Sequence, residues 1–335
     1  MEEKERRDVE EKKANNAANG KLSWPVRLSY AGGDVACNVV FGMVGTLLTL
    51  FYTDYVGVAA ATVGLIMLLS RFFDGFSDMI MGIIVEKTNS KWGKSRPWIL
   101  FGAIPFGVTA VLAFSVPDIG QTGMLIYAYV TYILLSTSYT IVNIPMASIL
   151  PALSENPHER TVLASCRTFF SSVGSTVVSA FALTLVDKFG NGNEALGFRI
   201  VMIIFGVIGC LVFFFCFFNT KERVMVQAEK VSLKANISCL LHNGPWKLFA
   251  LNIVWFFGGY VIQASAVIYY FTYVVQNTSM VQIVATITTL VPIVTNLLAP
   301  FLVKLTSKRN LMIGEAWYMQ AVFSSSSLGV PMFRC

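Results

Sequence analysis

The chain is built of long apolar stretches separated by short polar connections, and the stretches lack the strict alternation of a half-buried strand. Eight stretches reach the ~20 residues that a helix needs to cross ~30 Å of hydrocarbon: Tyr30–Phe51, Val63–Val85, Trp98–Val116, Leu125–Leu150, Val162–Val186, Phe198–Phe218, Trp246–Tyr273 and Met280–Val303. A membrane barrel would show dyad alternation over segments of ~10 residues, so the pattern predicts an all-α integral membrane protein with about eight transmembrane helices. The polar stretches divide it. Residues 1–28 read as a cytoplasmic tail, 29–218 as a complete N-terminal six-helix bundle, 219–245 as a cytoplasmic connection, and 246–310 as a truncated C-terminal bundle holding helices 7 and 8. Residues 311–335, with a serine run and no further apolar span, read as an atypical tail, with a frameshift or premature stop as the suspicion.

Composition agrees with the pattern. Charged residues make up 13% of the chain, apolar residues 55%, and mean hydropathy is +0.63. A water-facing domain carries roughly 25% charge. The net charge of +6 would suit a nucleic-acid partner, but its placement argues for orientation in a lipid bilayer. Twenty Lys and Arg residues fall in the tail and after helices 2, 4, 6 and 8, among them Arg7, Lys94, Arg160, Lys221 and Lys308, whereas the opposite side carries Lys188 and Arg199. By the positive-inside rule the N-terminus is cytoplasmic, in a multi-pass protein of the plasma membrane. The cysteines show no metal spacing, and His158 and His242 stand alone in connections. Without a nucleophile–base pair or a metal cluster, the expectation is no enzyme, no catalytic residue, no cofactor and no nucleic-acid partner.

Ionised groups at mid-membrane cost about 2.5–3.5 kcal/mol on insertion scales, so each needs a reason. Helix 2 places Arg71, Asp74, Ser77 and Asp78 within an arc of about 120°. Two readings compete: a buried ion pair with Arg71, or an oxygen-lined site for Na⁺ or H⁺ at Asp74 and Asp78. One arginine cannot balance two carboxylates, and hard oxygen ligands suit a small cation, with Ser77 as a third oxygen. Helix 1 carries Asp34 with Asn38 one turn later. A carboxylate accepts two hydrogen bonds from a sugar diol, although an acid near a helix start also complements the helix dipole. Helix 4 carries Tyr139, Thr140 and Asn143, which serve equally as interhelical glue. Helix 5 carries Arg167, which either snorkels to the cytoplasm or faces a cavity. Asp54, closing helix 1, reads as solvated.

The runs FYTDYVG, RFFDGFSDMIMG, KWGKSRPWILFG and YTIVNIP, followed by SCRTFFSS, resemble the glycoside–pentoside–hexuronide:cation symporters of the major facilitator superfamily. The resemblance runs from about Leu22 to Met312 and is most specific over helices 1–5. It implies an alternating-access fold in which a coupling ion, Na⁺ or H⁺, drives symport of a glycoside or other sugar. Carried over by position, its cation site falls on Asp74, Ser77, Asp78 and Thr140. Its sugar site falls on Asp34, Asn143 and Arg167, with Tyr139 beside them. In a well-known melibiose carrier of the family Asn stands at Ser77, so the oxygen ligand here is a hydroxyl rather than an amide; Asp stands at Asn143, Trp at Ala147 and Lys at Gly33, and these three departures put melibiose itself in doubt as substrate. The alternative expectation is a truncated, transport-inactive fragment that retains at most ligand binding.

Overall fold

A computed structural model describes residues 22–222, 233–269, 291, 293–303, 305–306, 309–311 and 313–314, and the regular structure among them is helical. The chain separates into two compact units, Met1–Val224 with Ile293–Cys335, and Met225–Pro292.

The first unit contains α1 (Trp24–Leu50), which runs on as a π-helical turn over Phe51–Tyr55, then α2 (Ala60–Lys87), α3 (Arg96–Ala113) and α4 (Gln121–Ser148). A helical turn at Leu150–Leu153 leads into α5 (Pro157–Gly190) and α6 (Glu194–Asn219). These helices contain the first six apolar stretches almost entirely and extend past most of their ends. The boundaries have local causes. Pro25, Pro97 and Pro157 occupy first-turn positions, where a missing N–H costs nothing. Asn156 accepts from the His158 N–H at 2.9 Å and Asn193 from the Leu196 N–H at 3.1 Å, capping α5 and α6. Between those helices the chain reverses through Asn191 (φ 46°) and Gly192 (φ 90°), the left-handed conformations that Asn and Gly tolerate.

Within this unit α1 packs on α5 and α6, α3 on α4 and α6, and α5 on α6, while α2 leans mainly on α4. In lipid, helices associate through close packing of small residues rather than by escape from water. Accordingly, a Cβ added to Gly197 would lie 2.2 Å from the Val186 carbonyl oxygen, and one at Gly206 would lie 3.1 Å from that of Gly107. Around these contacts Met43, Phe106, Leu135, Phe198 and Phe213 are fully buried. Beyond α6, the Glu222 carboxylate accepts from the backbone N–H groups of Lys94 and Ser95 at 2.9 and 2.8 Å, placing an anion on the N-terminus of α3. Arg27 and the buried Glu159 pair at 2.7 Å between the starts of α1 and α5.

By length and apolar composition α3, α4 and α6 suffice to cross a membrane, and the bent α1 and α5 raise the number to five among the described residues. The unpacked surface of α2 is largely apolar, with Leu65, Leu68, Phe72, Phe76 and Ile80 exposed, and it also carries the exposed Arg71 and Asp78.

The second unit shows α7 (Leu233–His242) and α8 (Gly244–Tyr269), joined at Asn243, whose side chain accepts from the Trp246 N–H at 3.1 Å. The connection expected over 219–245 therefore contains a helix. Its apolar residues, Leu233, Ile237, Leu240 and Leu241, recur at helical spacing inside a stretch whose average polarity hides them. α8 coincides with most of the seventh apolar stretch. The first half of the eighth, Met280–Val303, lies outside the described residues and its second half includes an apolar helix over Ile293–Val303, whereas the tail after Gly314 lies wholly outside them.

Candidate functional site

The polar residues of the first unit gather in two places, joined by α4. The first place lies between α1 and α5. Arg167 turns into the bundle instead of running to the membrane edge, and its Nε donates to Asp34 Oδ1 at 2.7 Å. Its Nη2 donates to Asn143 Oδ1 on α4 at 3.3 Å. Side-chain exposures of 11% for Asp34 and 22% for Arg167 make this a largely desolvated pair, with one positive and one negative charge. Asn38 sits beside it but is turned on its own helix, donating to the Asp34 carbonyl at 2.8 Å. Tyr30, fully buried, places its hydroxyl next to the Arg167 guanidinium without reaching regular hydrogen-bond geometry. Behind Asp34, a Cβ on Gly33 would stand 2.4 Å from the Met146 methyl carbon, so the space that a longer residue would need belongs to Met146.

The second place lies between α2 and α4. Thr140 donates to Asp78 Oδ1 at 2.8 Å, and its Oγ1 stands 3.4 Å from Ser77 Oγ. Ser77 donates to the Asp74 carbonyl at 3.0 Å. Ser136, one turn before Thr140, donates to Asp74 Oδ1. Arg71 lies 3.6 Å from Asp74 Oδ2, with its side chain 67% exposed, so the pair is loose and solvent-screened. Among the described residues no cation pairs with Asp78. The protons of the three hydroxyls are committed to acceptors, which leaves their oxygen lone pairs available. A site with one carboxylate in excess, rimmed by such oxygens, is chemically suited to a small hard cation.

α4 divides its polar residues between the two places. Thr140 and Ser136 face α2, whereas Asn143 faces Arg167. Tyr139 stacks obliquely on Phe41 of α1, with ring centroids 3.9 Å apart, within electrostatic reach of both Asp34 and Asp78. The structure thus brings Asp34, Asn143 and Arg167 together with Asn38 adjoining, and separately Asp74, Ser77, Asp78 and Thr140. Asp54 is exposed and accepts from the Thr53 hydroxyl at 2.7 Å. Sequence reasoning missed Tyr30 and Ser136. Each stands four residues before a residue that was singled out, Asp34 and Thr140 respectively, so the helical repeat held the signal. Among the described residues no group of three or more His, Cys, Asp or Glu stands together.

The family model for MFS/sugar transport proteins matches residues 29–326, reaching past Gly314 into the tail. The chain is 39% identical to the isoprimeverose transporter of Lactiplantibacillus pentosus over 297 residues, 87% of this chain and 62% of that protein. It is 33% identical to the inner membrane symporter YicJ of Escherichia coli (strain K12) over 314 residues, 93% of this chain and 67% of that one. Against the putative glycoside/cation symporter YagG of the same organism it is 36% identical over 258 residues, 77% of this chain and 56% of the relative. The chain therefore spans roughly three-fifths of the length of these relatives.

Proposed function

This chain belongs to the MFS/sugar transport protein family, in its branch of glycoside–pentoside–hexuronide:cation symporters, and we propose that it serves cation-coupled symport of a sugar or glycoside by alternating access. The proposal for transport concerns the whole protein, whereas ligand binding is proposed for the residues present here. The carrying observation is the unbalanced carboxylate Asp78 beside the hydroxyls of Thr140 and Ser77. Asp78 is exposed on the largely apolar surface of α2, and within a membrane an ionised acid in that setting is costly unless a positive charge joins it. A Na⁺ ion or a proton supplies that charge. One helix away, the neutral sum of Asp34 and Arg167, with Asn143, presents both acceptors and donors to the hydroxyls of a saccharide. α4 supplies residues to both places, and coupling between the two ligands is proposed to run through it.

The proposal extends to orientation, with the N-terminus cytoplasmic and the protein in the plasma membrane, supported by the distribution of Lys and Arg. A cysteine placed at Gly192, between α5 and α6, is expected to label from outside intact cells. Labelling only after permeabilisation would reverse the topology. Function is tested by binding radiolabelled glycosides to the purified chain in lipid nanodiscs, with and without Na⁺ and across pH. Saturable binding of at least one glycoside, strengthened by the coupling ion, is expected. No glycoside bound under any condition would remove the reading.

A further inference from the structure

The two acids of α2 are not equivalent, and their difference points to a residue on α4. Both oxygens of the Asp74 carboxylate are engaged by the protein: Oδ1 by the Ser136 hydroxyl, and Oδ2 by the Arg71 guanidinium 3.6 Å away. Asp78 has one oxygen engaged by Thr140, and its other oxygen makes no hydrogen bond or ion pair within the described residues. Ser136 is 4% exposed, so water does not readily replace its hydroxyl if it is removed. We propose that Ser136 is a positioning residue that holds Asp74 in a fixed rotamer, so that Asp78 takes the cation while Asp74 acts as an oriented neighbour. This rests on the reading of Asp74 and Asp78 as the cation site.

The physical reason is the geometry of like charges. Two carboxylates one turn apart repel, and an untethered Asp74 would swing away from Asp78 toward Arg71. The cation would then meet one acid and its hydroxyls instead of two acids at a set spacing. A hydrogen bond from a hydroxyl to an ionised acceptor is among the stronger neutral–charged contacts, and the acid that it holds stands one turn from the acid that takes the ion. Because Ser136 lies on the α2 side of α4, its loss leaves Asn143 and the Asp34–Arg167 pair in place.

The test is ²²Na⁺ binding to the full chain in nanodiscs, for the parent and for Ser136→Ala, Ser136→Thr and Ser136→Gly, with glycoside binding measured at saturating Na⁺. Ser136→Ala and Ser136→Gly are expected to weaken Na⁺ about tenfold, on the scale of one hydrogen bond to a charged group, with glycoside affinity unchanged. Ser136→Thr, which retains the donor, is expected to stay within about threefold of the parent. Parent-like Na⁺ affinity in Ser136→Ala would show that Ser136 merely holds two helices together and would overturn the inference alone. Equal losses in Ser136→Thr and Ser136→Ala would assign the effect to packing and overturn it likewise. A parent chain that binds no Na⁺ would remove the Na⁺-site reading, and the inference with it.

Discussion

Two acid-bearing places lie within one bundle, and they handle charge in opposite ways. At the α1–α5 place a single carboxylate meets a single guanidinium at 2.7 Å, both largely withdrawn from solvent, and the account closes at zero. At the α2–α4 place two carboxylates accept from the hydroxyls of Ser136 and Thr140, a single exposed arginine lies 3.6 Å from Asp74, and one negative charge is left over. The first arrangement supports itself, because each partner removes the desolvation cost of the other. The second asks for something from outside. Residues of similar chemistry therefore serve different ends according to whether the protein supplies the counter-charge, and substitutions at the two places should behave oppositely.

The largest expected effect is on stability at the balanced pair. Asp34→Ala leaves Arg167 buried without its partner, and breaking such a pair costs about 3–5 kcal/mol. Thermal unfolding in detergent should show a marked drop in midpoint. The double variant Asp34→Ala/Arg167→Ala should recover part of it. A drop in the double variant equal to the sum of the single ones would mean that the two charges are not coupled.

The converse holds at Asp78. Asp78→Asn removes the surplus charge, so stability should hold or rise slightly, while ²²Na⁺ affinity falls at least about a hundredfold through loss of a direct charge partner. Loss of stability on the scale of Asp34→Ala would erase the contrast between the two places.

Packing supplies a control independent of charge. Gly197→Ala drives a Cβ to within 2.2 Å of a backbone oxygen that no side-chain rotation can move. A destabilisation of about 1–3 kcal/mol is expected from such overpacking, with no change in the ratio of Na⁺ to glycoside affinity in the folded fraction.

The smallest effect belongs to Arg71. Its ion pair is exposed, so Arg71→Ala should change stability by no more than about 1 kcal/mol. Because it removes a positive charge next to the proposed cation site, Na⁺ affinity should rise a few-fold. A fall in Na⁺ affinity would show that Arg71 is needed to orient Asp74.

Much of this was legible along the chain. The bilayer is a demanding solvent, so the lengths of the apolar runs locate α1–α6 closely, and Asn156, Asn191, Gly192 and Asn193 mark the two ends of α5 and the start of α6. The face shared by Asp74, Ser77 and Asp78 follows from the helical repeat alone. Periodicity ranks residues around one helix but carries no information about which neighbour each face meets. The family resemblance had already set Thr140 with Asp78 and Asn143 with Arg167, and the tertiary structure turned those groupings into hydrogen bonds, although both residues lie on α4. It showed Arg167 and Asp34 as a direct ion pair across 133 residues of sequence, and it alone drew Ser136 onto Asp74. Local order here is dictated by the hydrocarbon, whereas the pairing of charges is decided by helix packing, where small residues such as Gly107, Gly197 and Gly206 determine how near one helix comes to the next.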